Sequence, residues 1–278
     1  MRKLGKPVDD PENVFLTCIS RVRDPALKAR LLSVKTDVKA ASDEFEAAAS
    51  TATLHLLLPQ ANVGAVSKDE MSDVYTIRMA KKGTPGRPIY DRLMSAPAHG
   101  RCPLCGQGKV STLDHHLPKE HFPALVVTPI NLVPACADCN KVKTNNIPRS
   151  QKEQTLHPYF DDVQGDLWLH AEVVEGVPAS IRFFVQAPAV WDALMADRVR
   201  YHFEIFKLGA LYGSYAAEEL VNIQYSLGKI FPHAGAAGVS AHLMDQKETY
   251  GAAHMNSWQT AMYGALAASD WFCEGGFQ

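Results

Sequence analysis

The chain has 278 residues, 46% of them hydrophobic and 21% charged, with a formal net charge of −2. That length and apolar content can bury a core larger than a small metal-binding module needs, so any such module must be embedded in something bigger. Residues 1–10 lack the apolar run of an export signal and no later run reaches membrane-spanning length, which predicts a cytoplasmic protein with no membrane partner.

Pro25 opens a predicted helix over residues 25–49, where Leu27, Leu31, Leu32, Val38, Ala41 and Phe45 fall near helical spacing. Ser67-Lys68-Asp69-Glu70 has the capping-box pattern, and the helix it starts runs toward Lys82 until Gly83-Thr84-Pro85-Gly86-Arg87-Pro88 breaks it. Residues 89–94 form a further short helix.

Two cysteine pairs follow, Cys102-Pro103-Leu104-Cys105 and Cys136-Ala137-Asp138-Cys139. Each Cys-x-x-Cys turn points two thiolates at one ion, and the two together close a tetrahedral Zn²⁺ site of the structural kind, with no position open to substrate. Disulfides are the alternative, disfavoured by the spacing and the intracellular character of the chain. Between the pairs, Asp114-His115 lies in an apolar stretch with Val110, Leu113 and Leu117 that suits a short strand ended by Pro118. Ile130-Asn131-Leu132-Val133-Pro134 is a second extended piece, and Asn140 opens a helix through Lys143.

Beyond the second pair, residues 168–174 and 181–186 alternate in polarity, and Gly176 and Pro178 between them predict a hairpin. Residues 188–211 return to helix, with Trp191, Leu194, Val199, Phe203, Phe206 and Leu208 on the packed face, and a last helix covers residues 256–268. The predicted class is α+β, mainly helical. Its regions are a helical 1–97, a zinc-stapled motif at 98–150, and a hairpin plus helices at 151–278. Cys18 and Cys273 are left over and read as buried small hydrophobes. Between Arg78 and Arg149 eleven basic residues face four acidic ones, a local +7 that leaves −9 for the rest. A basic centre between acidic flanks is the footprint of a phosphate-binding face.

Residues Cys102 to Lys143 resemble the HNH endonucleases, whose ββα-metal motif reads Asp-His-x-x-Pro, then Asn-Leu, then Cys-x-x-Cys-His/Asn-x-x-Lys. Asn140 stands where the family's third letter is histidine, and its amide keeps an oxygen ligand. A weaker likeness to stand-alone bacterial HNH proteins runs over residues 75–272, on His157-Pro158-Tyr159-Phe160-Asp161 and Asn256-Ser257-Trp258-Gln259. The resemblance implies a divalent-cation-dependent endonuclease that hydrolyses DNA phosphodiesters by nicking or double-strand cleavage, with RNA as the alternative substrate. It implies His115 as general base, a role that suits a side chain titrating near neutrality. By the same resemblance Asp114 and Asn140 hold Mg²⁺ or Mn²⁺, a hard cation that few protein oxygens leave open to phosphate. Asn131 ties the loop together through backbone hydrogen bonds.

Strand alternation sends Asp114 and His115 to opposite faces, so ion and base approach the phosphate from different sides, and it lets only one of His115 and the rival base His116 join the site; the resemblance places His115 there and implies His116 as a half-exposed packing residue. His121 reads as loop surface, with an approach to the phosphate as the alternative, and His157 as part of a packed aromatic turn, with a place lining the cleft as the alternative. Lys141 or Lys143 either touches the phosphate backbone or is a solvated helix lysine.

Two further readings stand beside the enzyme. A binding-only zinc module for nucleic acid needs the cysteines and the basic face but not Asp114, His115 and Asn140 together. A nuclease subunit of a multi-protein restriction or antiphage defence complex has an ATPase or another defence protein as partner, since this chain contains no Gly-x-x-x-x-Gly-Lys-Ser/Thr loop of its own. A homo-oligomer fits each reading.

Overall fold

Two Asp-Pro pairs start the first helices. In the computed structural model, which describes residues 1–278, Asp10 caps α1 (Pro11–Ile19) by accepting from Asn13 N at 2.9 Å, and Asp24 caps α2 (Pro25–Ser33) by accepting from Ala26 N at 2.9 Å. Proline in the first turn loses an N–H that has no helical partner there and presets φ. The helix expected over residues 25–49 breaks at Val34 and resumes as α3 (Lys35–Ser50). The break turns the chain so that Leu31, Val34 and Val38 all enter one core.

The chain divides into two units, Met1–Asp162 and Val163–Gln278. In the first, a short ladder of β1 (Asn62–Val63) and β2 (Val66–Ser67) leads into α4 (Lys68–Thr76). Its capping box forms as expected, and Glu70 also takes a two-pronged ion pair from Arg30 at 2.6 and 2.8 Å. This helix stops at Thr76, short of Lys82, because the chain folds inward to bury Met79 completely. There Gly86 passes so close to α1 that a Cβ on it would lie 2.7 Å from Cys18 Sγ. Then α5 (Arg87–Ser95) leads to the cysteine-bearing segment.

That segment holds β3 (Thr112–His115), β4 (Leu132–Ala135) and α6 (Ala137–Lys143). The strands pair antiparallel, with Asp114 opposite Val133 and His115 opposite Leu132. Val14, Phe15, Leu31, Val38, Met71 and Val74 from the helices pack with Leu113 and Leu132, forming the floor under the hairpin. Each such fully buried side chain stabilises by about 1.5–3 kcal/mol relative to exposure. A second cluster, Phe45, Leu54, Leu117, Phe122, Leu125 and Ile130, packs α3 against the long β3–β4 connection. Two tyrosines clamp the strands, with Tyr75 OH donating to Leu113 O at 3.3 Å and Tyr159 OH to Leu132 O at 3.0 Å.

In the second unit, β5 (Leu169–Val174) and β6 (Ser180–Val185) form the expected hairpin. The helix expected over residues 188–211 is α7 (Ala193–Ile205), capped by Asp192, and Trp191 lies outside it with its indole N–H on Asp166. Lys207 adopts a left-handed turn and α8 (Leu208–Ala253) follows, 46 residues long. Its buried stripe, Leu208, Tyr212, Ala216, Leu220, Ile223 and Leu227, has helical spacing, and the helix kinks where Pro232 removes a donor and Gly235 takes φ +60°. Ser257 caps α9 (Trp258–Ala267), while Asn256 accepts from Trp168 N and Leu169 N and so anchors the start of β5. No helix is long and apolar enough to cross a membrane.

Candidate functional site

The two Cys-x-x-Cys turns converge. All four thiols of Cys102, Cys105, Cys136 and Cys139 are buried and free of disulfides, and their sulfurs lie within 4.8 Å of one another. Cys105 Sγ and Cys136 Sγ are 3.9 Å apart. A tetrahedral zinc with ~2.3 Å bonds has sulfur–sulfur edges of about 3.8 Å, so the donor set fits a structural zinc. The first turn depends on Gly106 at φ +73° and on Gly108, whose Cβ would stand 2.7 Å from Cys136 Sγ. Gly108 N donates to Cys105 Sγ and Cys139 N to Cys136 Sγ, bonds that favour thiolates. Hydrogen bonding from Cys102, foremost among the causes, draws Cys136 down to about 7 and lowers Cys105 further.

The knuckle also builds the neighbouring helix. The helix expected to open at Asn140 begins at Ala137, because Cys136 is its N-cap. With 7 residues α6 is too short to persist alone, so the sulfur cluster and the hairpin fix its position. It carries Asn140 and Lys143 against β3.

Asp114, His115 and Asn140 border one pocket of about 370 Å³, together with Tyr75, Lys119 and Lys141. The Asp114 carboxylate turns toward α6, where Lys143 Nζ lies 3.1 Å from Oδ2 and donates to His115 O at 2.7 Å. Lys143 was expected as a solvated or phosphate-touching lysine. It is instead buried, with the pair's side chains only 5% and 7% exposed, since the short helix presses its last turn onto the hairpin. Burial raises the Asp114 carboxyl above the ordinary range, opposed by Lys143.

His115 turns the other way. Its ring meets Tyr75 edge-on at 4.5 Å between centroids, and Nε2 lies 2.9 Å from Val126 O. A carbonyl oxygen only accepts, so Nε2 carries the proton and Nδ1 the lone pair. Burial, foremost, pushes this histidine down to about 3, so it is neutral at physiological pH. Asn131 is fully buried in the connection: its Oδ1 accepts from Leu117 N at 2.8 Å, and its Nδ2 donates to Leu117 O and Leu125 O.

The other histidines lie elsewhere. His116, expected half-exposed, is buried at 6% on the far side of β3. There it packs 4.2 Å from the His157 ring and edge-on to Phe45, because the turn at residues 157–161 folds over that side. His157 is held in this aromatic turn by Asp161, whose Oδ2 accepts from His157 N. His121 does not border the pocket. Sequence reading missed Tyr75 and Lys119 as pocket residues; only the basic count of the region hinted at Lys119.

Fold and site define a class: an α+β protein, mostly helical, with a four-cysteine cluster able to hold structural zinc beside an Asp, His and Asn pocket. The chain belongs to the family of protein ea31 of Escherichia phage lambda. The two are 30% identical over 232 residues, covering 77% of this chain and 76% of that protein. It is also similar to Septu protein PtuB of Bacillus thuringiensis, 31% identical over 81 residues that span 27% of this chain and 31% of PtuB. No family model matches the chain. No solved structure matches it.

Proposed function

We propose that this protein is a divalent-cation-dependent endonuclease of the HNH type, its ββα-metal element being β3, β4 and α6 stapled by zinc. The observation that carries the reading is the meeting of Asp114, His115 and Asn140 at one pocket, with His115 held neutral. His115 Nδ1 accepts a proton from water as the water oxygen bonds to phosphorus. The phosphorus–oxygen bond to the 3′ carbon then breaks, and the 3′ oxygen takes a proton from solvent, leaving a 5′ phosphate and a 3′ hydroxyl. The Val126 carbonyl fixes the ring and its tautomer, so the lone pair is presented without reorganisation. Asn131 holds the backbone that carries His115 and Leu117.

The oxygens of Asp114 and Asn140 are hard donors suited to Mg²⁺ or Mn²⁺. Such an ion supplies charge for the phosphoryl oxygens and the departing alkoxide when bound. Lys143 maintains the Asp114 carboxylate in its buried position.

Cleavage of supercoiled plasmid tests the reading. Wild type nicks or linearises it with Mg²⁺ or Mn²⁺, and His115→Ala loses cutting while keeping its zinc. Equal cutting by the two removes His115 from the mechanism. The match to a Septu protein favours a second element of the reading, that the nuclease works as a subunit of a multi-protein defence complex. Affinity capture from native lysate that returns this chain alone counts against that element.

A further inference from the structure

We infer that Lys119 is a second phosphate-contacting group of this pocket, its ammonium preset to meet a non-bridging oxygen of the scissile phosphate. The inference rests on the nuclease reading above and adds a residue to it.

Three observations carry it. First, Lys119 borders the same pocket as Asp114, His115 and Asn140. Of the charged groups lining it, Asp114 is neutralised by Lys143, which lies outside the lining, and this leaves Lys119 and Lys141 against the single carboxylate of Glu120. The pocket is therefore one positive charge in excess. Second, Lys119 is part-buried yet makes no ion pair; its one hydrogen-bond acceptor is the neutral Ser72 Oγ, at 2.9 Å. An ammonium has three donors, so two remain for an incoming anion.

Third, the side chain is held in place. Ser72 tethers it from α4, and the Tyr75 ring lies beneath it with the centroid 5.9 Å from Nζ. The same ring packs against His115. One aromatic side chain thus sets the imidazole and the ammonium on a common wall, close enough that the lysine charge adds to burial in lowering the proton affinity of His115. Pre-positioned charge aimed at developing negative charge acts without reorganisation at the moment of reaction. Lys141, by contrast, is exposed and untethered.

Lys119→Met keeps the aliphatic stem over Tyr75 and removes only the charge; Lys119→Gln is the second variant should methionine disturb the loop. Binding of a short fluorescein-labelled DNA duplex is measured against salt concentration in Ca²⁺, and single-turnover cleavage in Mg²⁺. Loss of one phosphate contact lowers the salt slope by about one. Loss of a pre-positioned transition-state donor slows cleavage by about 100-fold or more, and Lys119→Arg restores both because it keeps the charge at similar reach.

An unchanged salt slope and rate in Lys119→Met, with His115→Ala inactive, overturns the Lys119 contact and leaves the nuclease reading standing. A reduced salt slope in Lys119→Met, with a wild type that fails to cut whichever divalent ion is supplied, supports the contact and overturns the nuclease reading. Absence of wild-type binding to the duplex overturns the contact.

Discussion

Replacing Lys143 by methionine leaves the Asp114 carboxylate buried without its counter-charge. The two groups are 3.1 Å apart and almost wholly enclosed. At an effective dielectric constant near 20 their attraction is on the order of 5 kcal/mol, and breaking a buried pair by removing one partner costs about 3–5 kcal/mol. The unit Met1–Asp162 is of a size for which each kcal/mol moves Tm by about 2–4 °C. Its melting transition is expected to fall by about 6–20 °C in calorimetry at neutral pH. Adding Asp114→Asn to Lys143→Met recovers most of the loss, since the partner no longer carries a charge. Mg²⁺ raises Tm more in Lys143→Met than in wild type, because it supplies the positive charge the variant lacks. The deficit also shrinks as pH falls. Asp114 already has a raised carboxyl pKa, and a group raised on folding takes up its proton more readily in the native state, so stability is regained as pH drops through that pKa. A loss below about 1 kcal/mol, or single changes that add without coupling, refutes the view that this pair organises the site.

His115 sits near 3 when folded and at the ordinary 6.5 when unfolded, so its contribution to stability is complete above pH 6.5 and is lost between 6.5 and 3. Urea melts of wild type should therefore weaken by about 1.4 kcal/mol per pH unit below 6.5 relative to His115→Asn; parallel curves contradict the buried neutral ring. The cleavage rate of wild type should show no inflection near pH 6.5, the position of an unshifted histidine, when followed from pH 5.5 to 8. Asn131→Ala leaves the Leu117 and Leu125 backbone groups without their side-chain partner, at about 1–3 kcal/mol for each buried group left unsatisfied; a denaturant midpoint equal to wild type rejects the loop-tying role. Cys136→Ser removes one of the four sulfurs while its hydroxyl can still cap α6, so zinc content by plasma mass spectrometry falls from about one per chain toward none and the motif loses its fold. Zinc-free wild type purified without chelator contradicts the four-thiolate site.

The sequence alone determined those features whose physics is local. Two Cys-x-x-Cys turns can aim four sulfurs at one ion wherever they fold, Ser67 and Glu70 satisfy each other's backbone donors within one turn, and the alternation around Gly176 and Pro178 makes a hairpin from neighbouring residues. Tertiary structure decided the rest. Lys143 reads as a surface lysine until α6 lies on β3 and encloses it with Asp114. The HNH pattern favours His115 over its neighbour His116, but spacing alone does not bury His116, and it is the packing of Tyr75 and Val126 on one ring and of Phe45 and His157 on the other that gives each its place. The spacing of residues 188–211 predicts one packed helical face, yet Lys207 takes a left-handed turn there and Leu208 belongs to α8. Burial of the stripe from Leu208 to Leu227 carries α8 onward from that turn as far as the kink at Pro232 and Gly235. Spacing along the chain specifies which groups can meet within a turn, whereas the charges and rings that meet across elements are chosen by the packing that removes them from water.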